Sequence, residues 1–193
     1  MQDPAREVKN VVKGLIEAPT AAAQSKVLKT YFAPDASFDH PLCAVASSPN
    51  SRDGGVLPIY QWLRCMFTPH IDVHSVALDK DNNKLYIDAT QTLVPSISLL
   101  AAIRAPACRL IVVLFLQRGA DGRFYIKRQE DYYEPQVLPG LIFPGLSTLI
   151  QIVKLIIGFN CWVLTFIIGY TLGWWNPNGS SLATSNGRKA VRA

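Results

Sequence analysis

The stretch Ile71-Asp-Val-His-Ser-Val-Ala-Leu-Asp-Lys-Asp-Asn-Asn-Lys84 is where the chain changes period. Ile71, Val73, Ser75 and Ala77 alternate with Asp72, His74, Val76 and Leu78, the two-residue repeat of a strand, and residues 79–83 are turn formers. Downstream the same period continues. Residues 84–94 read as a second strand, 108–117 as a long apolar third, 118–122 as a Gly-containing turn and 123–133 as a fourth strand. Upstream the period is helical. Asp3 and Pro4 suit a helix start, and Val8, Val11, Val12, Leu15 and Ile16 recur at helical spacing until Ala18-Pro19. Thr20 caps a second helix, with Val27, Leu28, Tyr31 and Phe32 on one face, which stops at Ala33-Pro34-Asp35. Residues 36–41 form a short extended piece with Phe38 and His40 on one side and Ser37 and Asp39 on the other. A polar loop over 47–55 leads to a third helix over 56–67, which begins near Pro58 and carries Ile59, Tyr60, Leu63 and Phe67. Helices first and an antiparallel sheet afterwards define an α+β class. Residues 95–106, apolar and too long for a hairpin turn, read as a strand bulge or as a loop touching lipid.

The last quarter follows a different rule. From Leu155 to Trp175 there are 21 residues without a charge, and at about 1.5 Å of rise per residue such a helix covers a hydrocarbon layer of roughly 30 Å. A soluble domain able to surround a helix apolar on every side needs more residues than remain. The segment is therefore expected in a bilayer, with Lys154 and the Trp174-Trp175 pair at its interfaces. Gly158-Phe-Asn160 leaves open a reversal inside the membrane, with domain and tail on one side, against a single span. Asn178-Gly-Ser180 is a glycosylation acceptor sequence whose use would mark the tail as luminal. The domain partition is 1–136 for the folded domain, 137–147 for an interfacial hinge holding two Pro-Gly pairs, 148–175 for the membrane segment and 176–193 for a flexible basic tail.

Charge and cysteines narrow the class. Residues 1–135 hold 15 Lys and Arg against 14 Asp and Glu, and the rest of the +5 net charge comes from Lys154, Arg188, Lys189 and Arg192. Basic residues concentrated beside an apolar run suit topology and anionic lipid, so no nucleic-acid partner is expected. Cys43, Cys65, Cys108 and Cys161 are isolated and read as reduced, hence a domain facing the cytosol on an organelle such as the endoplasmic reticulum or a lipid droplet. The polar N-terminus does not look like a signal peptide, which leaves delivery to the C-terminal segment. His70 and His74 have metal spacing only for a helix, and the local alternation is that of a strand, so no metal or cofactor is expected.

Several strings taken together resemble a known family. Tyr31-Phe-Ala-Pro-Asp-Ala-Ser-Phe-Asp-His-Pro41, Ile59-Tyr-Gln-Trp-Leu-Arg64, Ser75-Val-Ala-Leu-Asp79, Ala105-Pro106 and Tyr125-Ile-Lys-Arg-Gln-Glu-Asp-Tyr-Tyr133 are similar to the fungal SigF-like branch of the nuclear transport factor 2-like superfamily, over about residues 5–147. The resemblance implies a cone in which three N-terminal helices are wrapped by a bent antiparallel sheet, open at one end to a pocket. It makes Tyr31, Asp39, His40, Tyr60, Arg64, Gln129, Asp131 and Tyr132 the candidates for polar lining. It also implies relatives that act as isomerases or dehydratases with an Asp or His base in an apolar cavity. Adjacent strand residues face opposite sides, so Asp39 and His40 cannot both point inward, and strand-end carboxylates tend to pair with an arginine such as Arg64 or Arg128. No catalytic signature is matched residue by residue. The expected function is therefore a membrane-anchored domain binding a hydrophobic small molecule or lipid without chemistry of its own. The alternatives are a membrane-bound isomerase or dehydratase of an apolar carbonyl compound, and a structural module that dimerises through its sheet.

Overall fold

The computed structural model describes residues 1–96, 107–143 and 145–171. The chain divides into two compact units, residues 1–144 and residues 145–193.

The first unit starts with two helices whose limits are set by their caps. Helix α1 (Pro4–Ile16) begins at Asp3, whose carboxylate accepts from the Arg6 N–H at 3.3 Å. Glu7 reaches back to the N–H groups of Gln2 and Asp3, which satisfies donors that the helix leaves open. Helix α2 (Ala21–Tyr31) is capped by the Thr20 hydroxyl. No stop follows it. Strand β1 (Phe32–His40) starts at once, four residues earlier than the alternation suggested, and takes Pro34 into a register break between Phe32 and Ser37. A proline has no N–H to give a ladder, so it is accommodated where the ladder is interrupted. The short strand β2 (Cys43–Val45) pairs back on β1. The loop after it is tied down rather than free: the Ser47 hydroxyl donates to the Asp35 carbonyl and the buried Ser51 hydroxyl to the Ala36 carbonyl, both at the middle of β1. A π-helical turn (Arg52–Val56) then leads into α3 (Leu57–Met66), with Pro58 in its first turn. The three helices are thus not one N-terminal block, because β1 and β2 come between the second and the third.

Strands β3 (Phe67–Asp79), β4 (Lys84–Pro95), β5 (Cys108–Arg118) and β6 (Phe124–Tyr133) complete a six-stranded sheet of order β2-β1-β6-β5-β4-β3. The sheet is mixed rather than antiparallel throughout, since β1 lies parallel to β6. The cause is connectivity: β1 leaves α2 and joins the sheet beside the last strand, which happens to run the same way, whereas β3 to β6 lie side by side in chain order, each antiparallel to the next. Two bulges, between Val73 and Ser75 on β3 and between Phe115 and Leu116 where β5 meets β6, bend the sheet and increase its twist. The fully buried Val8, Leu28, Phe32, Val56, Leu85, Ile87, Leu114 and Ile126 belong to the continuous core between helices and sheet. The unit closes with a short helix α4 (Val137–Ile142), which contains Pro139 and Gly140, the first of the two Pro-Gly pairs read as breaks.

The second unit is described through helix α5 (Leu146–Leu164) and a π-helical continuation (Thr165–Thr171). Residues 146–168 make one helix long and apolar enough to cross a membrane. Its large side chains are exposed, Leu155 to 75% and Trp162 to 66%. It begins at Gly145 with φ of +91°, a left-handed backbone that suits glycine. Helix α5 runs unbroken through Gly158, Phe159 and Asn160, so the chain does not reverse there. Lys154 lies on its exposed surface. Trp174, Trp175, the tail with Asn178 and most of the 95–106 connection lie outside the described residues.

Candidate functional site

Alternation along a strand places every second side chain on one face, but a bulge changes which ones. In the ladder, Phe115 of β5 pairs with Arg128 and the next residue, Leu116, with Ile126, so Lys127 is the extra residue on β6. Ile126 faces the core, and beyond the bulge the inward residues become Gln129, Asp131 and Tyr133. Together with the inward faces of α1, α3, β1, β3, β4 and β5 they enclose a cavity of about 530 Å³. Most of its wall is hydrocarbon and aromatic, with Val11, Leu15, Phe32, Leu63, Phe67, Leu93, Leu110 and Val112 among the lining.

The polar groups gather on the β6 side of this wall. The Tyr60 hydroxyl donates to Gln129 Oε1 at 2.8 Å, and Gln129 Nε2 donates to Asp131 Oδ1 at 2.9 Å. The Tyr133 hydroxyl donates to Gln91 Oε1 at 3.2 Å. His40 leans against Tyr133 with ring centroids 5.2 Å apart, and its Nδ1 accepts the Leu42 N–H at 3.1 Å. Burial, only partly offset by the Gln129 hydrogen bond, pushes the Asp131 carboxyl up to about 7. Burial also raises the Tyr60 and Tyr133 hydroxyls and the Cys43 and Cys108 thiols, and lowers His40 despite the adjacent Asp39. No Lys or Arg lines the cavity among the described residues.

Comparison with known proteins supplies the family. The SigF NTF2-like domain model matches residues 1–174. The chain belongs to the SigF NTF2-like domain family. Solved structures similar to this SigF NTF2-like chain include a protein with a ketosteroid isomerase-like fold from Catenulispora acidiphila, in complex with trimethylamine (15% identity, TM-score 0.47, covering 66% of this chain and 88% of the other). Others are ActVI-ORFA from Streptomyces coelicolor (17%, 0.47, 67% and 96%) and nuclear transport factor 2 from Cryptosporidium parvum (10%, 0.48, 67% and 91%). No curated protein matches the chain.

Of the lining residues expected for a SigF NTF2-like pocket, the structure brings His40, Tyr60, Gln129 and Asp131 together and leaves four outside. Tyr31 ends α2 and packs on the core without reaching the cavity. Asp39, one residue before His40, points away and faces Arg128 at 3.7 Å. Arg64 lies outside the cavity, over a separate depression with Thr20, Gln61 and Cys65. Tyr132 is exposed and donates to Glu130 at 2.6 Å on the outer sheet face, because the bulge gives its neighbours the inward positions. Arg128, one of the two arginines expected to pair a strand-end carboxylate, does so with Asp39 and Glu130 rather than with Asp131. Tyr133, Gln91, Cys43 and Cys108 were not anticipated. For Tyr133 the signal was present, since it stands two residues beyond Asp131 on the same face. Gln91 and Cys43 come from β4 and β2, which do not pair with β6, so no local pattern brings them to its inward face; Cys108 begins β5, the neighbour of β6 that the 118–122 turn implies. His70 lies against two carboxylates, Glu17 at 2.8 Å and Asp72 at 3.3 Å, and no group of three or more His, Cys, Asp or Glu that could hold a metal occurs among the described residues.

Proposed function

We propose that this chain is a membrane-anchored binding domain whose cavity holds a hydrophobic small molecule or lipid, within the fungal branch of its family and with the folded unit on the cytosolic side. The cavity carries the reading. Protein interiors pack nearly as densely as organic crystals, and a space of about 530 Å³ inside a domain of this size falls in the range of ligand sites. A module serving only to hold subunits together would gain stability by filling it. The rim supports supply from lipid: Leu42 and Trp62 line the cavity and are each 57% exposed, so the mouth itself is apolar. The exposed apolar helix in residues 146–168, in which Lys154 is the single charged side chain, supports a membrane anchor.

The test is extraction of the full-length protein, purified in a non-ionic detergent, followed by mass spectrometry of the organic phase. A co-purifying apolar molecule that is lost from Leu93→Trp, which fills the cavity, is the expected result. Equal recovery from both proteins overturns the reading.

A second reading has one specific observation in its favour. A carboxyl held near 7 beside the Gln129–Tyr60 chain is poised to exchange a proton at neutral pH, as an isomerase or dehydratase of an apolar carbonyl compound requires. Deuterium exchange into the α-position of a bound ketone, abolished in Asp131→Asn, would separate catalysis from binding. The outer sheet face, with Tyr86, Ile111 and Tyr132 exposed, is the surface through which a homodimer would form, and the mass of the detergent-solubilised particle tests it.

A further inference from the structure

The binding reading leaves the chemistry of the ligand open, and the polar wall narrows it. Both functional groups of the Gln129 amide are already used, Oε1 by Tyr60 and Nε2 by Asp131. The Tyr133 hydroxyl is committed to Gln91. What remains for a ligand is the second carboxyl oxygen of Asp131 and the amide N–H of Gln91, neither of which takes a partner among the described residues. No buried side-chain polar atom is left unsatisfied among them, so these two groups open onto the cavity. Among the described residues no cationic side chain stands on the wall to receive an anion, and the one titratable nitrogen there, His40, is held neutral by burial.

Resting on the binding reading, we infer that the cavity selects a neutral, largely apolar molecule bearing a single hydrogen-bond acceptor, a carbonyl or hydroxyl oxygen, which Asp131 and Gln91 hold. Free fatty-acid anions are excluded from it. A carboxylate placed there would lose its hydration with no positive partner, and a second negative charge beside Asp131 would be opposed directly. A neutral oxygen costs far less to bury and finds donors already aimed into the space. Among the described residues the titratable groups that share the cavity with Asp131 are all neutral at pH 7: Tyr60 from α3, His40 from β1, Cys43 from β2, Cys108 from β5 and Tyr133 from β6. Raising the pH through 7 therefore turns the Asp131 donor into an acceptor before any of its neighbours changes charge, and an acceptor ligand is released.

The experiment compares tritiated hexadecan-2-one with tritiated palmitate, matched in carbon count, for retention by the full chain in non-ionic micelles, each corrected for protein-free micelles. At pH 6 the ketone is retained over palmitate by at least about tenfold, the ratio that 1.4 kcal/mol gives. On moving to pH 8.5 ketone retention falls several-fold in the wild type and stays level in Asp131→Asn, whose amide donates at both pH values. Palmitate retained as well as the ketone at pH 6, or the same pH dependence in Asp131→Asn, overturns the inference while leaving the binding reading standing. Retention of neither probe overturns the binding reading, and this inference with it.

Discussion

Asp131 is the residue on which the chemistry turns, and its environment makes a prediction about stability. An unfolded chain titrates an aspartate near 3.9, while the folded chain holds this carboxyl up to about 7 because it faces the cavity and not water. Between those values the folded state keeps a proton that the unfolded state has lost, so this group's contribution to stability falls as pH rises through the window and is level above it. Denaturant titrations at pH 4, 6 and 8 should show Asp131→Asn gaining on the wild type as pH rises, by an amount on the order of 3 kcal/mol between the ends. A constant difference would mean that Asp131 is ionised in the fold. Tyr60→Phe is the companion change. It leaves the buried Gln129 Oε1 without its donor, and a loss of about 1–3 kcal/mol in the same titration is expected. The sequence already held Gln129 and Asp131 on one face. The same alternation puts Tyr132 on the opposite face; which of the two faces looks inward was not legible, because the extra residue that shifts the parity of β6 at Lys127 shows only when β5 is laid beside it.

At the scale of elements, the helices were legible where caps and spacing act locally. Asp3, Thr20 and Pro58 mark starts that sequence and structure share. β1 was legible only in its second half. Phe32 reads as the last apolar residue of a helix face, yet it is the first residue of a strand and is 1% exposed, because pairing with Ile126 and burial in the core outweigh helical propensity there. Truncating it tests that weight: Phe32→Ala removes a buried ring from the junction of α2, β1 and β6, and should cost about 3–5 kcal/mol by denaturant titration. The loop after β2 read as merely polar, but Ser51 anchors it on β1. Ser51→Ala should cost about 1–3 kcal/mol by the same measure, since the Ala36 carbonyl would lose the partner that satisfies it. Helix α5 was legible throughout, as composition alone decides a segment that is apolar on all sides.

At the scale of the whole molecule it is the proposed anchor in residues 146–168 that can be tested. Full-length protein is expected to stay with membranes through an alkaline carbonate wash, and a chain ending at residue 144 to be released by it. Release of the full-length protein would remove the anchor from the proposal. By itself the sequence determined the α+β class, the family resemblance, the caps and the apolar helix, because those follow from period and composition within a few turns of chain. The parallel seating of β1 beside β6, the parity of β6 after its bulge, and the gathering of Gln91, Cys43 and Cys108 around Asp131 were decided by the tertiary structure alone. Each depends on which strand lies next to which, and that is fixed by burying the whole sheet against the helices at once, a condition no single stretch of chain can express.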